Sequence, residues 1–430
     1  MPNQLLKIIR NNLRANLLLI GGLFIIAISL WDIMDYFYTQ TVNLRKPLGF
    51  DWEHVYHLKV GVIPRESSEW DVTPRGKEEI TDDFNLFIAR LKEHQAVSAA
   101  CHTQAHAHYV MKSSYGYAFI DTIGIGCYWR GVSPDYFTVF KVKGVDGTSP
   151  EEMTERAKEP GVAILTADLA EKLLNAGNDE KKSHHVATEI LGKRVTADKS
   201  GKYAYLVNGV CEPQKYNETT IYYPARYQIM QYGKNNNYVD YSSISGVDVY
   251  IRVKPNADNA DFIRTFRQEM RGRLRVGNLY LEDIKSMGSV RDMALSDYHG
   301  GLKSKIVIFF FMLLNAFLAI IGTFWFRTRE RTEELSIRLI FGATPQTLMK
   351  MLIGEGLLLI SFAFIPVVVL VYCMGNAEMI GVYLAEWNMM RFFVGVGLTF
   401  LVLLSVAVLS VWFPARKAMQ IDSVEALHGE

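Results

Sequence analysis

Apolar residues are concentrated at the two ends of the chain, where they form four long runs. A bilayer core about 30 Å thick is crossed by about 20 residues of α-helix. We therefore predict membrane spans at residues 15–38, 306–326, 352–374 and 392–413. Charged and polar residues recur throughout residues 39–305, which excludes a further span there. The pattern predicts a membrane α-helical protein with one span, a large domain outside the bilayer, and three more spans.

The first fourteen residues carry Lys7, Arg10 and Arg14 and no acid, and their leucines and isoleucines fall on one helical face. This pattern is typical of a short amphipathic helix on a membrane surface. The alternative is a cleaved signal peptide. The apolar run that follows is long for a signal peptide, and its end lacks a cleavage site of small residues, so we favour a span at 15–38.

The central segment, residues 39–305, mixes alternating and helical patterns and is predicted to be an α+β domain. A helix is predicted from Thr73-Pro74 to about His94. Two strands, 97–110 and 117–131, are predicted to form a hairpin around a turn at 112–116. Further strands are predicted at 162–165, 195, 203–210, 220–223 and 247–253, and further helices at 168–174 and 258–273.

The segment between the second and third spans, residues 327–351, is too short for a domain but long enough for a surface helix of about three turns. Glu334 and Arg338 lie four residues apart with the acid first, the better order for a helical ion pair. Gly342 supplies a stop, and Thr344-Pro345 supplies a cap and a first residue for the next helix. We predict a helix, a glycine corner and a helix that re-enters the membrane.

The third predicted span contains an acid, Glu355, near the end predicted to be cytoplasmic. An ionisable residue within a membrane is a functional candidate. The interpretation we favour is a helix-end residue at the depth of the lipid headgroups. Pro366 lies in the same span, where a kink is tolerated.

Basic residues define the topology, because Lys and Arg are enriched in cytoplasmic segments. They precede the first span, follow the second and follow the fourth, whereas the loop 375–391 has Arg391 as its single base. We predict that residues 1–14, 327–351 and the tail 414–430 are cytoplasmic, and that the domain 39–305 and the loop 375–391 are extracytoplasmic.

Composition agrees with a partly membrane-embedded protein. Hydrophobic residues make up 49% of the 430 residues, and the mean hydropathy is +0.06. The net charge of +1 gives no electrostatic basis for binding nucleic acid.

Several motifs resemble those of the FtsX/MacB-like ABC transporter permeases. The charged segment reads Glu334-Leu-Ser-Ile-Arg338, then Gly342-Ala-Thr344, then Glu355, and the tail reads Pro414-Ala-Arg-Lys-Ala418. Residues 421–427 are also similar to the family's ending, although Ser423 stands where the family often has Pro. The domain 39–305 resembles the MacB-type periplasmic core domain through four segments in the family's order: 131–137, 162–165, 191–193 and 206–210.

This resemblance implies a permease subunit in the bacterial inner membrane, with four spans that form half of a dimeric membrane unit. The helix after the second span would dock on a cytoplasmic ABC ATPase, and ATP-driven movement would pass through the spans to the outer domain. The alternative is a solvated helix that contacts the membrane alone. The resemblance assigns the ATPase-coupling role to Arg331, Glu333, Glu334, Ile337, Arg338 and Gly342.

The chain has no Gly-x-x-x-x-Gly-Lys-Ser/Thr loop for phosphates. We therefore expect a non-catalytic subunit without a cofactor of its own, with ATP and Mg²⁺ used by a separate ATPase chain. The expected partners are that ATPase, a second permease (a copy or a paralogue), a periplasmic adaptor or outer-membrane channel, and membrane lipids.

Three histidines, His102, His106 and His108, alternate along a predicted strand and would face one side. Imidazoles in such a row can bind zinc or copper. No acidic or cysteine ligand accompanies them at a clear spacing, so we favour a polar strand face without metal.

Three of the four cysteines lie in the predicted extracytoplasmic domain, where disulfides form. Cys101 and Cys127 would lie nearly opposite each other across the predicted hairpin, so a disulfide between them is a hypothesis. Cys211 would be a buried thiol. Cys373, in the third span, is assigned to packing.

Two functions fit the sequence. The first is export or extrusion of a substrate, such as a peptide, lipid, lipoprotein or small toxic molecule. The second is a transmembrane regulator that activates an extracytoplasmic partner such as a cell-wall hydrolase. The size of the outer domain favours the first, and the sequence does not identify the substrate.

Overall fold

The structure is a computed structural model. It describes residues 13–104, 108–110, 114–176, 185–201, 203–219, 228–232, 239–330, 332–381, 385 and 387–418. Most of the predicted N-terminal amphipathic helix, the predicted strand at 220–223 and residues 419–430 lie outside this set. The chain divides into two compact units, one formed by residues 1–43 with 298–430 and the other by residues 44–297.

The first unit contains the long helices, and the second unit consists of strands and shorter helices. The helices are α1 (Leu13–Arg45), α2 (Lys77–Lys92), α3 (Tyr136–Val139), α4 (Pro150–Ala157), α5 (Ala167–Asn175), α6 (Phe262–Met270), α7 (Met287–Ala294), α8 (Ser296–Glu330), α9 (Thr332–Ile340), α10 (Pro345–Asn376) and α11 (Met389–Ala418). The strands are β1 (Val55–Val62), β2 (Val97–Gln104), β3 (Tyr115–Ile120), β4 (Ile123–Val132), β5 (Val162–Thr166), β6 (Arg194–Thr196), β7 (Ala204–Cys211), β8 (Gln228–Tyr232), β9 (Val247–Val253) and β10 (Leu279–Ser286).

The membrane unit contains four helices, α1, α8, α10 and α11, that are long and apolar enough to cross a bilayer, counted over the described residues. This confirms the predicted fold class of one span, an outer domain and three spans. The helices pack around a core that includes Leu30, Phe324, Leu359 and Val411. Helix α8 extends beyond the predicted span, because it begins ten residues before Ile306.

The outer domain contains a ten-stranded sheet in the order β10-β1-β9-β2-β4-β3-β6-β7-β5-β8. A further parallel pairing joins β4 to β8, so that β4, β3, β6, β7, β5 and β8 close into a ring. Helices α2 and α6 contribute Phe84, Phe87 and Phe266 to the core beside the open end of the sheet. Ala163, Leu165 and other small and branched residues fill the ring.

The predicted hairpin of two long strands is wrong. Strand β2 ends at Gln104, and the predicted strand 117–131 is itself a hairpin of β3 and β4. The turn between them includes Asp121 at φ +53°, a left-handed conformation that Asp tolerates better than most residues. Periodicity alone did not reveal this turn, because no glycine or proline marks it.

The predicted disulfide between Cys101 and Cys127 is also wrong, because it depended on that hairpin. Both thiols are free and buried. Cys101 lies opposite Tyr250 of β9, whereas Cys127 lies opposite Gly116 of β3, and the two belong to different hydrophobic clusters. Burial raises the pKa of Cys127 to about 12, which disfavours the thiolate form.

Candidate functional site

The connection between the second and third spans is built as a helix, a glycine corner and a helix. Helix α9 ends in a Schellman motif, in which the Ala343 N–H donates to the Arg338 carbonyl at 2.9 Å. Gly342 adopts φ +91°, a left-handed conformation that favours glycine. The Thr344 hydroxyl then accepts from the Thr347 N–H at 3.3 Å and caps α10.

One face of α9 is fixed to the first turns of α10. Leu335 is 4% exposed and packs in a small cluster with Leu348 and Met351. Arg338 donates from Nη2 to Glu334 Oε1 at 2.6 Å and from Nη1 to Met351 Sδ at 3.3 Å. Arg338 therefore joins α9 to α10 and also pairs with Glu334 within α9.

Three large apolar side chains, two in α9 and one directly after it, are exposed instead. Ile337, Ile340 and Phe341 are 44%, 54% and 86% exposed, and their spacing of three and four residues places them together on the helix surface. We call these three residues the apolar face of α9. Large apolar groups held out by a helix that is anchored on its other side are typical of a protein contact.

The predicted coupling residues divide among several environments. Ile337 belongs to the apolar face, Glu334 and Arg338 to the anchored face, and Gly342 to the corner. Arg331 lies outside the described residues, and only the helical backbone of Glu333 is described. Sequence reasoning missed Ile340 and Phe341 as contact residues. Their spacing from Ile337 was the signal that could have identified them.

Glu355 is the eleventh residue of α10 and is 2% exposed. Glu355 is therefore not a solvent-exposed residue at the helix end, and its depth in the bilayer stays a prediction. The neighbouring Gly356 faces the side chains of Phe324 and Val411, so this part of α10 lies inside the helix bundle. Burial strengthens the case that Glu355 is functional, since an acid in such surroundings is costly.

A second buried acid was missed by the sequence reasoning. Asp35 of α1 is 7% exposed and Arg391 of α11 is 3% exposed. Arg391 donates from Nε to Asp35 Oδ1 at 2.7 Å and from Nη2 to Asp35 Oδ2 at 2.6 Å. The sequence pattern assigns Arg391 only to the extracytoplasmic loop, as its single base. The signal was an acid and a base, each placed at the outer end of an apolar run.

The histidine candidates do not share a strand face. His102 lies in β2, with its ring edge-to-face against Phe84 at 5.2 Å. His108 lies beyond the end of β2 and stacks on Phe50 at 3.5 Å, and His106 lies outside the described residues. Among the residues that the structure describes, no group of three or more His, Cys, Asp or Glu side chains is arranged to hold a metal.

His108 takes part in a buried polar cluster with neutral acceptors. Arg130 Nη1 lies 2.8 Å from the Tyr136 hydroxyl and 3.3 Å from His108 Nε2. Since the guanidinium is a donor, His108 Nε2 accepts and the imidazole is neutral. Burial, with Arg130 adding to it, lowers the pKa of His108 well below its ordinary value.

Two family models match the chain. The MacB-like periplasmic core domain matches residues 55–269, which is half of the chain, and the FtsX-like permease C-terminal domain matches residues 306–423. The second match contains α9, the glycine corner and the last three spans. The search of curated proteins gives no match.

Three solved structures are among those similar to this chain. A domain described as that of a permease protein from Porphyromonas gingivalis is 14% identical, with a TM-score of 0.34, covering 56% of this chain and 92% of that one. The periplasmic region of MacB from Actinobacillus actinomycetemcomitans is 11% identical, with a TM-score of 0.30, covering 58% and 96%. The extracellular domain of the noncanonic ABC-type transporter YknZ from Gram-positive bacteria is 15% identical, with a TM-score of 0.29, covering 53% and 100%.

The family matches agree with the four apolar helices and with the β-rich domain inserted after the first of them. Membership of an ABC permease family implies that the protein works with an ATPase. The chain belongs to the MacB- and FtsX-like permease family, as a multi-pass inner-membrane protein with a large periplasmic domain.

Proposed function

We propose that the chain is the permease subunit of a mechanotransmitting ABC transporter. In this role, it couples ATP hydrolysis by a separate ATPase subunit to movement of its periplasmic domain, and this movement drives export or extrusion of a substrate. The observation that carries the proposal is the apolar face of α9, defined above. It is exposed at the end of the bundle predicted to be cytoplasmic, while the other side of α9 is fixed to α10.

The helices next to α9 provide a path for force. Helix α8 runs from Ser296 to Glu330 and is separated by one residue from the first residue of α9, Thr332. At 1.5 Å per residue, its 35 residues span about 50 Å. Because Leu335 and Arg338 fix α9 to α10, a displacement of α9 would move the second and third spans together.

In this proposal, the chain binds no cofactor and catalyses no reaction. ATP and Mg²⁺ are used by the partner ATPase. A second permease, either a copy or a paralogue, completes the membrane unit, and a periplasmic adaptor or an outer-membrane channel completes the export path. Glu355, buried in α10, is a candidate for holding the bundle in the arrangement that responds to the ATPase.

The test is an affinity pulldown of the full chain solubilised in mild detergent. Wild type is expected to capture a cytoplasmic ABC ATPase. Phe341→Asp is expected to lose the ATPase, because it places a charge in the exposed apolar face. The matched control is Val72→Asp in the outer domain, since Val72 is 84% exposed and Phe341 is 86% exposed.

A second variant tests the geometry of the site. Glu334→Arg combined with Gly342→Trp removes the ion pair of α9 and strains its corner, so it should also lose the ATPase while remaining in the membrane. If wild type captures no ATPase under conditions that preserve membrane complexes, the transporter proposal is wrong. Co-purification of a cell-wall hydrolase would instead support the regulatory alternative.

A further inference from the structure

The buried guanidinium of Arg391 makes four hydrogen bonds with the protein, two of them to Asp35. Besides its two bonds to Asp35, Arg391 donates from Nη1 to the Ala385 carbonyl at 2.7 Å and from Nη2 to the Gly381 carbonyl at 3.2 Å. Each guanidinium nitrogen thus has a protein partner. A bidentate, fully bonded pair of this kind is a structural fastening rather than a ligand site.

The pair connects two parts of the membrane unit that are far apart in sequence. Asp35 belongs to α1, the span that precedes the outer domain, and Arg391 gathers the loop between α10 and α11. Trp387 closes this loop against the end of α10, where a Cβ on Gly375 would lie 2.0 Å from the indole ring. The described residues Gly381, Ala385 and Trp387 of this connection are therefore fixed to α1 and α10 by two independent contacts.

A second ion pair at the same end of α1 provides a natural comparison. Lys305 Nζ of α8 lies 3.2 Å from Asp32 Oδ2, but these side chains are 35% and 68% exposed. The side chains of Arg391 and Asp35 are 4% and 10% exposed. Exposed pairs contribute little to stability, whereas removing one partner of a buried pair leaves an uncompensated charge.

We propose that Asp35 and Arg391 form a latch that fixes the outer loop between the third and fourth spans onto the first span. Because separation would leave two opposite charges buried without their counter-charge, the latch holds α1 and the α10–α11 hairpin as one body. In the complex, the force that acts on the latch is supplied by the ATPase, so this part of the inference rests on the proposed function. The latch itself can be tested without the ATPase.

The first experiment measures opening of the loop in the full chain reconstituted in lipid nanodiscs. Ala385, which is 8% exposed, is changed to Cys in a Cys373→Ser background and labelled with a membrane-impermeant maleimide. Arg391→Gln is expected to raise the labelling rate on the order of tenfold or more, because the loop loses its anchor. Lys305→Gln, which breaks the exposed pair, is the control and should leave the rate unchanged.

Asp35→Asn provides a second test in case Arg391→Gln does not fold. It keeps the size of the side chain and removes only the charge. It is also expected to speed labelling. Unchanged labelling in both variants would overturn the proposal, as would an equal increase in Lys305→Gln. Gel filtration in detergent shows which variants remain folded.

The second experiment tests transmission in the complex with the ATPase. Spin labels on Val72→Cys and Gln346→Cys report the distance between the outer domain and the end of α10 next to α9. ATP is expected to change this distance in wild type, and Arg391→Gln is expected to lose most of the change while still binding the ATPase. A full change in Arg391→Gln would overturn the latch. Failure of wild type to bind an ATPase would overturn the proposed function instead, and the labelling result would still stand.

Discussion

Single residues in this protein act mainly through burial, and two histidines of the outer domain show this most directly. His102 packs against Phe84, and His108 stacks on Phe50 beside Arg130. The sequence predicted that they would share one strand face as a polar row. Alternation of residue types does not reveal where a strand ends, and β2 ends at Gln104, so each ring enters a different environment.

This burial predicts that acid destabilises the outer domain. Burial, with Lys92 adding to it and Asp135 opposing it, lowers the pKa of His102 to about 4. The unfolded chain, with a histidine pKa near 6.5, binds more protons, so stability is lost as pH falls from about 6.5 towards 4. We expect His102→Phe to reduce this loss by about 3 kcal/mol, measured by urea unfolding at a series of pH values. A pH dependence identical to that of wild type would contradict the prediction.

At the scale of elements, the sequence predicted those whose signals are local. The four spans follow from apolar length, and α5, β5, β7 and β9 follow from short periodic segments. The glycine corner followed from the spacing of Gly342 and Thr344. The capping sequence Ser149-Pro-Glu-Glu152 was an equally local signal for α4 that we overlooked, and the structure shows its reciprocal capping box.

Elements that depend on distant partners were not predicted. Strand β1 lies between β10 and β9. Its buried Tyr56, Leu58 and Val60 alternate with the more exposed His57 and Lys59, but both of its partner strands come at the far end of the domain in sequence. The latch joins residues 356 positions apart, and no single-sequence pattern connects them. The same reason explains why Asp35 was left out of the predicted site while Glu334 and Arg338, which are local to one helix, were included.

Helix α9 allows its anchored face and its exposed face to be separated by mutation. Leu335→Ala removes a side chain that is 4% exposed and packed against Leu348, and we expect it to lower the local opening free energy of α9 by about 2 kcal/mol. Ile337→Ala trims a side chain that is 44% exposed and should leave this opening unchanged. Hydrogen exchange of the α9 amides in nanodiscs measures both effects.

The two variants should also differ in the pulldown described above. Ile337→Ala is expected to weaken ATPase capture without loosening the helix, because it alters only the apolar face. Equal increases in hydrogen exchange for both variants would show that the two faces are not distinct, and the assignment of the contact surface would then be wrong.

At the scale of the whole molecule, the two units have separate hydrophobic cores. The clusters that fill the outer domain draw all their buried members from residues 50–287, and the strand pairings close within the same range. The membrane unit has its own cluster, formed by residues from the four spans. Each unit therefore buries its own core, so the covalent link between them can carry movement without either unit unfolding.

This separation predicts that residues 44–297 fold without the spans. A unit with its own hydrophobic cores and a closed set of strand pairings satisfies its backbone and apolar groups internally. We expect the excised segment to be soluble, to unfold cooperatively on heating, and to show the acid sensitivity predicted for the full chain. Circular dichroism and calorimetry of the purified segment measure both properties. Aggregation or a non-cooperative transition, under conditions in which the full chain is stable in nanodiscs, would mean that the membrane unit is needed to complete the outer domain.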